Sequence, residues 1–560
     1  MEVWKIQRDS DCLSSLRNIS EALKGKQNVT VSLEQGIYHW RDPAAERDFG
    51  ALMEGRLDYD THWGRPGLPY NQGVVFDQVN GLTLDGNGST LTIHGLLAPF
   101  TFQNCQRVTL RNFRIDWDRP LFSVGTVLSW EEGEITVKID DDFPVRGGEP
   151  VWALMDYDRF ARRFGLIWKY RNMSAMEQIE PQTVRIRAKL GQPLTPGTTL
   201  ILRHVGNYRP CIHLWECEKV LMENVILHAN PGMGVTAHYC RDLRFRGLQV
   251  RPAEDRLMST NTDATHFITC SGTIDFENCY FEGMGDDAVN VHGFYNRITQ
   301  VVDDHTVTAT IDNENGTQDL RYDAPRPGDM AQFCDPRTLL PIWESIVRES
   351  RVDEEAWQVT LVLADPLPKE IAPSVVFTKC SDTAALRVVN CHVNRIRARA
   401  FLSQTKAALI EGCRIEHCTG TAIHVNAALG WCESIPCENV VIRDNRIRDC
   451  GYGDATFANA CAVTVQTKCR EKAVGVHGHV EIVDNEVTGS GRNGIVLSSL
   501  EKGQVMGNRF WNCDAAVVVE SCGEVELSHN RYNGSRVVFS HGSSPLTQDN
   551  EEDDYVLPEL

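Results

Sequence analysis

The chain has no surplus of basic residues: across 560 positions, 56 Lys and Arg face 76 Asp and Glu, a formal charge of -20. A nucleic-acid groove or an anionic membrane surface needs clustered Lys and Arg, so the composition argues against both and disfavours acidic polymers such as pectate. No apolar run approaches the roughly 18 residues that a membrane-spanning helix needs. The start, MEVWKIQRDSDCLSSL, carries no basic stretch with an apolar core behind it. The expected location is cytoplasmic, or outside the cell if a signal has been trimmed. No CxxC pair answers another and no HxxxH occurs, so the spacings of a zinc site are missing, and neither metal nor cofactor is expected.

What is present is a repeat. Short alternating segments, each broken by Asn, Gly or a neighbour, recur as VTLRNFRI (from Val108), VLMENVIL (from Val220), LRFRGLQV (from Leu243), IDFENCYF (from Ile274), ALIEGCRI (from Ala408), VVIRDNRI (from Val440), VEIVDNEV (from Val480), GQVMGNRF (from Gly503) and VELSHNRY (from Val525). The step from Leu221 to Arg244 is 23 residues, from Asn485 to Asn508 is 23, and from Asn508 to Asn530 is 22. Short strands at such a period, with a polar turn residue at a fixed place, predict a solenoid of β coils in which each Asn hydrogen-bonds the Asn of the next coil. The 19 cysteines are an odd number and fall largely inside the repeat, as at Cys217, Cys240, Cys279, Cys391, Cys413, Cys450 and Cys513. Reduced thiols stacked as small apolar side chains fit that pattern better than disulfides.

Two segments break the period, one containing GTVLSWEEGEITVKID and the other NRITQVVDDHTVTATID. Their apolar alternation and turn residues predict two small antiparallel β modules, and similarities between them suggest copies of one unit. The expected division is an N-terminal part of the solenoid at 1–122, a first insert at 123–205, central coils at 206–293, a second insert at 294–379, C-terminal coils at 380–545 and an acidic, mobile tail at 546–560. The fold class is all-β.

The carboxylates stand out against this frame. NTDATHF (Asn261 to Phe267) aligns with GDDAVNV (Gly285 to Val291), placing Asp263 over Asp287 at an offset of 24 residues, about one coil. Residues one coil apart sit on neighbouring strands about 4.8 Å apart. Asp286 would project differently from Asp287 if the run is a strand, unless a bulge at Gly283 or Gly285 re-aims it. Three carboxylates thus converge, and crowding raises the proton affinity of at least one. Adjacent aspartates also serve as turn caps, and three together suit a calcium ion. His266 and His292, following each carboxylate group, favour a sugar-cleaving site over both.

These residues resemble a known group. NTD, then DD one coil later, then HG is similar to the polygalacturonase-type glycosidases, and more closely to family 110 glycoside hydrolases, α-1,3-galactosidases. The pieces that carry the likeness are LTIHGLLAPF (from Leu91), FRIDWDRP (from Phe113), DATHF (from Asp263), DDAVNVHG (from Asp286), RARAFL (from Arg397) and WCES (from Trp431). The resemblance implies a right-handed parallel β-helix with two inserted β modules, and an exo-acting, inverting hydrolase that releases terminal α-linked galactose. It implies Asp286 as general acid, with Asp263 and Asp287 holding and deprotonating the water. It adds His266, His292, Arg397, Arg399, Trp431 and Glu433 as sugar-contacting residues, His266 and His292 either holding hydroxyls or tuning the acid. The polygalacturonases carry an Arg-x-Lys strand after HG, whereas here HG runs into FYNRITQ without that Lys, which disfavours a uronic acid. HVNAALGWCES has Ala427 and Ala428 where polar sugar contacts are expected, so terminal α-N-acetylgalactosamine or another linkage stays open. The expected partner is a galactose-terminated oligosaccharide or glycan, and a homodimer is compatible with the sequence. A polysaccharide lyase and a non-catalytic carbohydrate-binding solenoid are the rival readings.

Overall fold

The computed structural model of the chain describes residues 2–57, 70–131, 133–254, 256–311, 323–453, 460–489, 492–533, 536–539 and 542–552. Its body is a right-handed parallel β-helix. Strands from successive coils pair in register along two long parallel faces: Leu221 with Arg244, Val440 with Val480, Val480 with Gly503 and Gly503 with Val525 on one, and Val289 with Phe401, Phe401 with Ile423 and Ile423 with Val463 on the other. One continuous apolar core fills the coils and takes in most of the repeat cysteines. All 19 cysteines are free thiols, and Cys469 alone among them is not buried.

The asparagine repeat does what its spacing predicts. Asn445 donates its side-chain amide to Asn485 Oδ1 at 2.9 Å, Asn485 to Asn508 at 2.9 Å, Asn508 to Asn530 at 3.1 Å and Asn530 to Asn550 at 3.0 Å. Each oxygen also receives the backbone N–H of the preceding Asn, so the amides satisfy one another inside the core. The ladder carries the helix past the expected boundary of the tail. Leu546–Gln548 and Glu551–Glu552 pair with the preceding coil, so the solenoid continues to Glu552, and the remainder of the expected tail lies outside the described residues.

Two helices interrupt the all-β expectation near the N-terminus. Cys12–Leu23 is capped by Asp11, whose side chain accepts from Ser14 N, and Pro43–Met53 is capped by Asp42, which accepts from Ala44 N and Ala45 N. The first buries Leu13, Leu16, Ile19 and Leu23 against the core and closes the end of the solenoid, as a stack of coils requires.

The two inserts follow one strand order, as copies of one unit would: in each the first strand pairs with the second and with the last and the other pairings correspond, the single long strand Pro341–Asp353 of the second standing where the first has Arg163–Tyr170 and Glu177–Glu180. The first, from Phe122–Glu131 to Thr199–Arg203, is a seven-stranded sheet with its own core. The second, from Asn296–Val301 to Val376–Lys379, is a closed six-stranded barrel. Ile268, Phe294 and Cys432 of the solenoid pack into the barrel's core, which seats it against the second parallel face. On that face Phe267, Val291 and Val425 point into the solenoid, so alternation turns His266, Asn290, His292, His424 and Asn426 outward toward the inserts.

Candidate active site

The aspartates lie at a corner of the helix, between strands, and not inside a buried strand as the run of residues around them suggests. Residues 283–288 link strand Tyr280–Glu282 to strand Val289–Phe294, and Asp263 occupies the corner one coil earlier, just before Thr265–Ile268. Backbone hydrogen bonds stack the two corners: Gly285 N to Thr260 O at 3.0 Å and Ala264 N to Asp287 O at 2.8 Å. Gly285 is required for this approach, because a Cβ there would sit 2.2 Å from Asn261 O.

The corner, and not strand alternation, turns Asp286 to the same side as its neighbours. One oxygen from each of Asp263, Asp286 and Asp287 lies within 4.8 Å of the others. This is closer than the roughly 6.5 to 9.5 Å between carboxyl groups that flank a sugar ring from opposite sides. The three carboxyls crowd one corner, so a sugar ring must meet all of them from one side.

The three carboxyls differ in their partners. Asp287 is held by Arg399: Nε and the backbone N–H both donate to Oδ1 at 2.8 Å, and Nη2 lies 2.7 Å from Oδ2. Asp263 faces His266, its Oδ2 lying 2.6 Å from Nδ1, while its Oδ1 accepts from Asp287 N at 3.3 Å. Asp286 receives no side-chain or backbone hydrogen bond from the described residues and is the least buried of the three. Burial pushes Asp286 up to about 6, helped by the charge of Asp263 and opposed by Arg399, Arg397 and Arg203. It also pushes Asp287 up to about 6 against the pull of Arg399, and holds Asp263 well above the usual carboxylate range, where the charge of Asp287 adds to the effect.

The other expected residues divide. His266 and His292 are buried and bonded to each other, Nε2 to Nε2 at 2.7 Å, so they face the aspartate cluster and not a free sugar hydroxyl. Arg399 is committed to Asp287. Arg397 is buried, donates to Thr419 Oγ1 at 3.2 Å, and lies 4.1 Å over the ring of Trp168 from the first insert. Glu433 accepts from Gln404 Nε2 at 2.6 Å; burial raises its proton affinity, but His292, Arg399 and that bond outweigh it and hold the group ionised. Its short strand pairs antiparallel with Gly293 and Phe294, which brings it beside His292. Trp431 is 39% exposed and presents a ring face to solvent.

Sequence reasoning missed several neighbours. Arg203 is fully buried, stacks on Trp152 at 5.5 Å and on Trp168 at 5.9 Å, and reaches the charge field of Asp286. Asn290 and His424 share with His266 one position of the outward ladder, two coils of it separated by Leu402. Lys468 sits at the end of the next strand, its ammonium lowered to about 8 by burial and by Arg399. The ladder position of His266 pointed to Asn290, but the insert between residues 294 and 379 hid the continuation.

Among the described residues, the three aspartates are the one group of Asp, Glu, His and Cys side chains close enough to ligate an ion. The set does not suit one. The guanidinium of Arg399 lies against both oxygens of Asp287 and its charge would repel an added cation, and His266 takes Oδ2 of Asp263.

The family model described as "Right handed beta helix region" matches residues 374–551. The chain is similar to alpha-1,3-galactosidase B of Bacteroides thetaiotaomicron, 26% identical over 551 residues that cover 92% of this chain and 87% of that protein. It is 26% identical over 500 residues to alpha-1,3-galactosidase A of Shewanella woodyi, covering 85% and 79% of the two chains. It is 27% identical over 516 residues to alpha-1,3-galactosidase B of Phocaeicola vulgatus, covering 86% and 81%.

Proposed function

We propose that the chain is a glycoside hydrolase that releases terminal α-linked galactose, α-1,3-linked in the first instance, from oligosaccharides or glycans. The likeness to proteins of that name over most of the chain supports the substrate class. The observation that carries the chemistry is the inequality of the three carboxyls. Asp286, unbonded and facing outward with its proton retained to about pH 6, is the general acid that protonates the glycosidic oxygen. Asp287, held by Arg399, and Asp263 hold the attacking water between them, and the proton of that water passes to this pair.

Direct attack by water gives inversion at the anomeric carbon, and Asp263 stacked on Asp287 beside Asp286 supplies two carboxyls to hold that water while the third donates. The inserts on either side of the corner favour a pocket for a chain end over an open groove. The test is cleavage of a terminal α-1,3-galactoside followed by nuclear magnetic resonance from the first minutes. Initial release of β-galactose supports the reading; initial α-galactose would replace water attack by a nucleophilic aspartate, and an unsaturated product absorbing in the near ultraviolet would make the protein a lyase.

A further inference from the structure

The two histidines beside the aspartates have a role that sugar contact does not explain. Three short contacts run in a line: Asp263 Oδ2 to His266 Nδ1 at 2.6 Å, His266 Nε2 to His292 Nε2 at 2.7 Å, and His292 Nδ1 to Gly293 O at 2.8 Å. The imidazoles stand edge to face, with centroids 4.8 Å apart and planes at 87°. Each contact needs one hydrogen, and the Gly293 carbonyl can only accept, so His292 Nδ1 carries one. Three contacts need three hydrogens, whereas two neutral imidazoles bring two. The third comes from a protonated Asp263, or makes one ring an imidazolium.

Burial decides where that hydrogen rests. It holds Asp263 well above the usual carboxylate range and lowers His266 and His292 to about 4 each. At rest, therefore, Asp263 Oδ2–H donates to His266 Nδ1, His266 Nε2–H to His292 Nε2, and His292 Nδ1–H to Gly293 O. The far end of the line is not neutral. His292 is faced by Glu433, from the strand that pairs with its own, and by Asp323, from the second insert, which also lies 3.4 Å from His238 Nδ1. A cavity of about 30 Å³, the size of a water, borders His292; the charged groups around it besides Asp323 are Lys379 and Asp382, paired with Asp329 at 3.2 Å and with Arg241 at 2.7 Å. On the other side Arg399 and Asp287 act on His266 with opposite signs. Glu433, held ionised, is thus the charge able to receive a positive ring, whereas burial pushes the Asp323 carboxyl up to about 7.

We propose that Asp263, His266 and His292 form a proton relay that turns Asp263 into the base of the reaction. The hydrogen on Asp263 Oδ2 passes to His266 Nδ1 as the hydrogen on His266 Nε2 passes to His292 Nε2. Asp263 becomes a carboxylate, His266 remains neutral, and His292 becomes an imidazolium facing Glu433. The water then gives one hydrogen to Asp263 and its oxygen bonds to the anomeric carbon, while the glycosidic bond breaks and its oxygen takes the proton of Asp286. The surplus proton on the relay returns to Asp286 through solvent, and the cycle closes without a net gain. His266 and His292 act through Asp263 and are positioning residues. The inference rests on the hydrolytic reading above and refines its base.

His292→Gln is the discriminating variant, because its carbonyl can accept from His266 and its amide can donate to Gly293 O, yet it cannot take up a proton. A fall in kcat of about 100-fold with KM within about two-fold is expected. The dependence of rate on deuterium fraction should be bowed for the natural chain, with several protons in flight, and straight for the variant. An unchanged kcat with a raised KM, or a fall in kcat with the bowed dependence retained, overturns the relay. A second readout needs no turnover: with ¹⁵N-labelled histidine, His292 should be the Nδ1–H tautomer, and a low-field hydrogen shared by His266 should vanish in Asp263→Asn. Finding the Nε2–H tautomer overturns the relay. Finding the expected signature in a chain that cleaves no galactoside counts against the hydrolytic reading alone.

Discussion

Arg399 closes on Asp287 from 112 residues away, gripping both carboxylate oxygens with its side chain and one of them again with its backbone N–H. Removing the guanidinium strands a buried carboxylate, so Arg399→Met should cost about 3–5 kcal/mol. The loss should be greater at pH 7.5 than at pH 5. Without Arg399 the proton affinity of Asp287 rises further, and a raised carboxyl contributes stability at low pH that disappears as pH rises through its folded value. Thermal unfolding at the two pH values checks both size and sign.

The acid and the water-holding carboxylates separate by leaving group. Asp286→Asn should cut cleavage of a natural α-1,3-galactoside by about 1,000-fold, yet leave much more activity on a galactosyl fluoride or dinitrophenyl galactoside, whose leaving group needs no proton. Asp287→Asn and Asp263→Asn should be defective on both. Steady-state rates on the paired substrates decide, and rescue of Asp287→Asn in place of Asp286→Asn would reverse the assignment.

Activity should follow a narrow bell. Asp286, pushed up to about 6, must keep its proton, so rate is lost as pH rises through that value; Asp287, also pushed up to about 6, must be ionised, so rate is lost as pH falls through it. The apex of kcat/KM should lie near pH 6, and Asp286→Asn assayed on an activated substrate should lose the falling limb while keeping the rising one.

Chelation should change nothing. With the positive charge of Arg399 against Asp287, dialysis against EDTA is expected to leave the rate unaltered, and added Ca²⁺ should not raise it. Loss on chelation with recovery on Ca²⁺ would return the aspartates to a cation site.

The asparagine ladder should be worth more than its single side chains. Asn508→Ala removes the acceptor of both Asn485 donors and the donor to Asn530, inside the core. Each group so left unpaired costs about 1–3 kcal/mol. Urea unfolding of this variant, beside Asn439→Ala as a control at an exposed strand position, measures the difference.

Which parts of this were legible depended on whether the period ran unbroken. Asn485, Asn508 and Asn530 lie in uninterrupted coils, and their spacing alone gave the stacking. Asp263 and Asp287 lie in neighbouring coils, so an offset of 24 residues sufficed to bring them together. Arg399 was placed near the site, but its partner was not, because the barrel separates it from Asp287 and erases the register. Trp168 and Arg203 come from an insert whose docking no periodicity encodes. His266 and His292 are legible by position, but the choice between holding sugar hydroxyls and acting on a carboxyl is not, since ring orientation and the Gly293 carbonyl that fixes it are tertiary facts. The helices at Cys12–Leu23 and Pro43–Met53 were signalled by Asp11 and by Asp42 followed by Pro43, and lost to the stronger strand pattern.

The barrel between Asn296 and Lys379 interrupts the chain without interrupting the solenoid: Val289 pairs directly with Phe401 across it. Its hydrophobic core is filled almost wholly by its own residues, with Ile268, Phe294 and Cys432 as the solenoid's contribution. The unit is therefore a cassette spliced into one corner of a continuous thread. Lineages can exchange, enlarge or trim such a cassette while leaving the register that stacks Asp263 on Asp287 untouched, so the reach and shape of the recognised sugar can drift on one timetable and the bond-breaking chemistry on another. Asp323 ties the two together, because an exchange that discards it takes a carboxyl away from His292 as well as a wall from the cavity beside it.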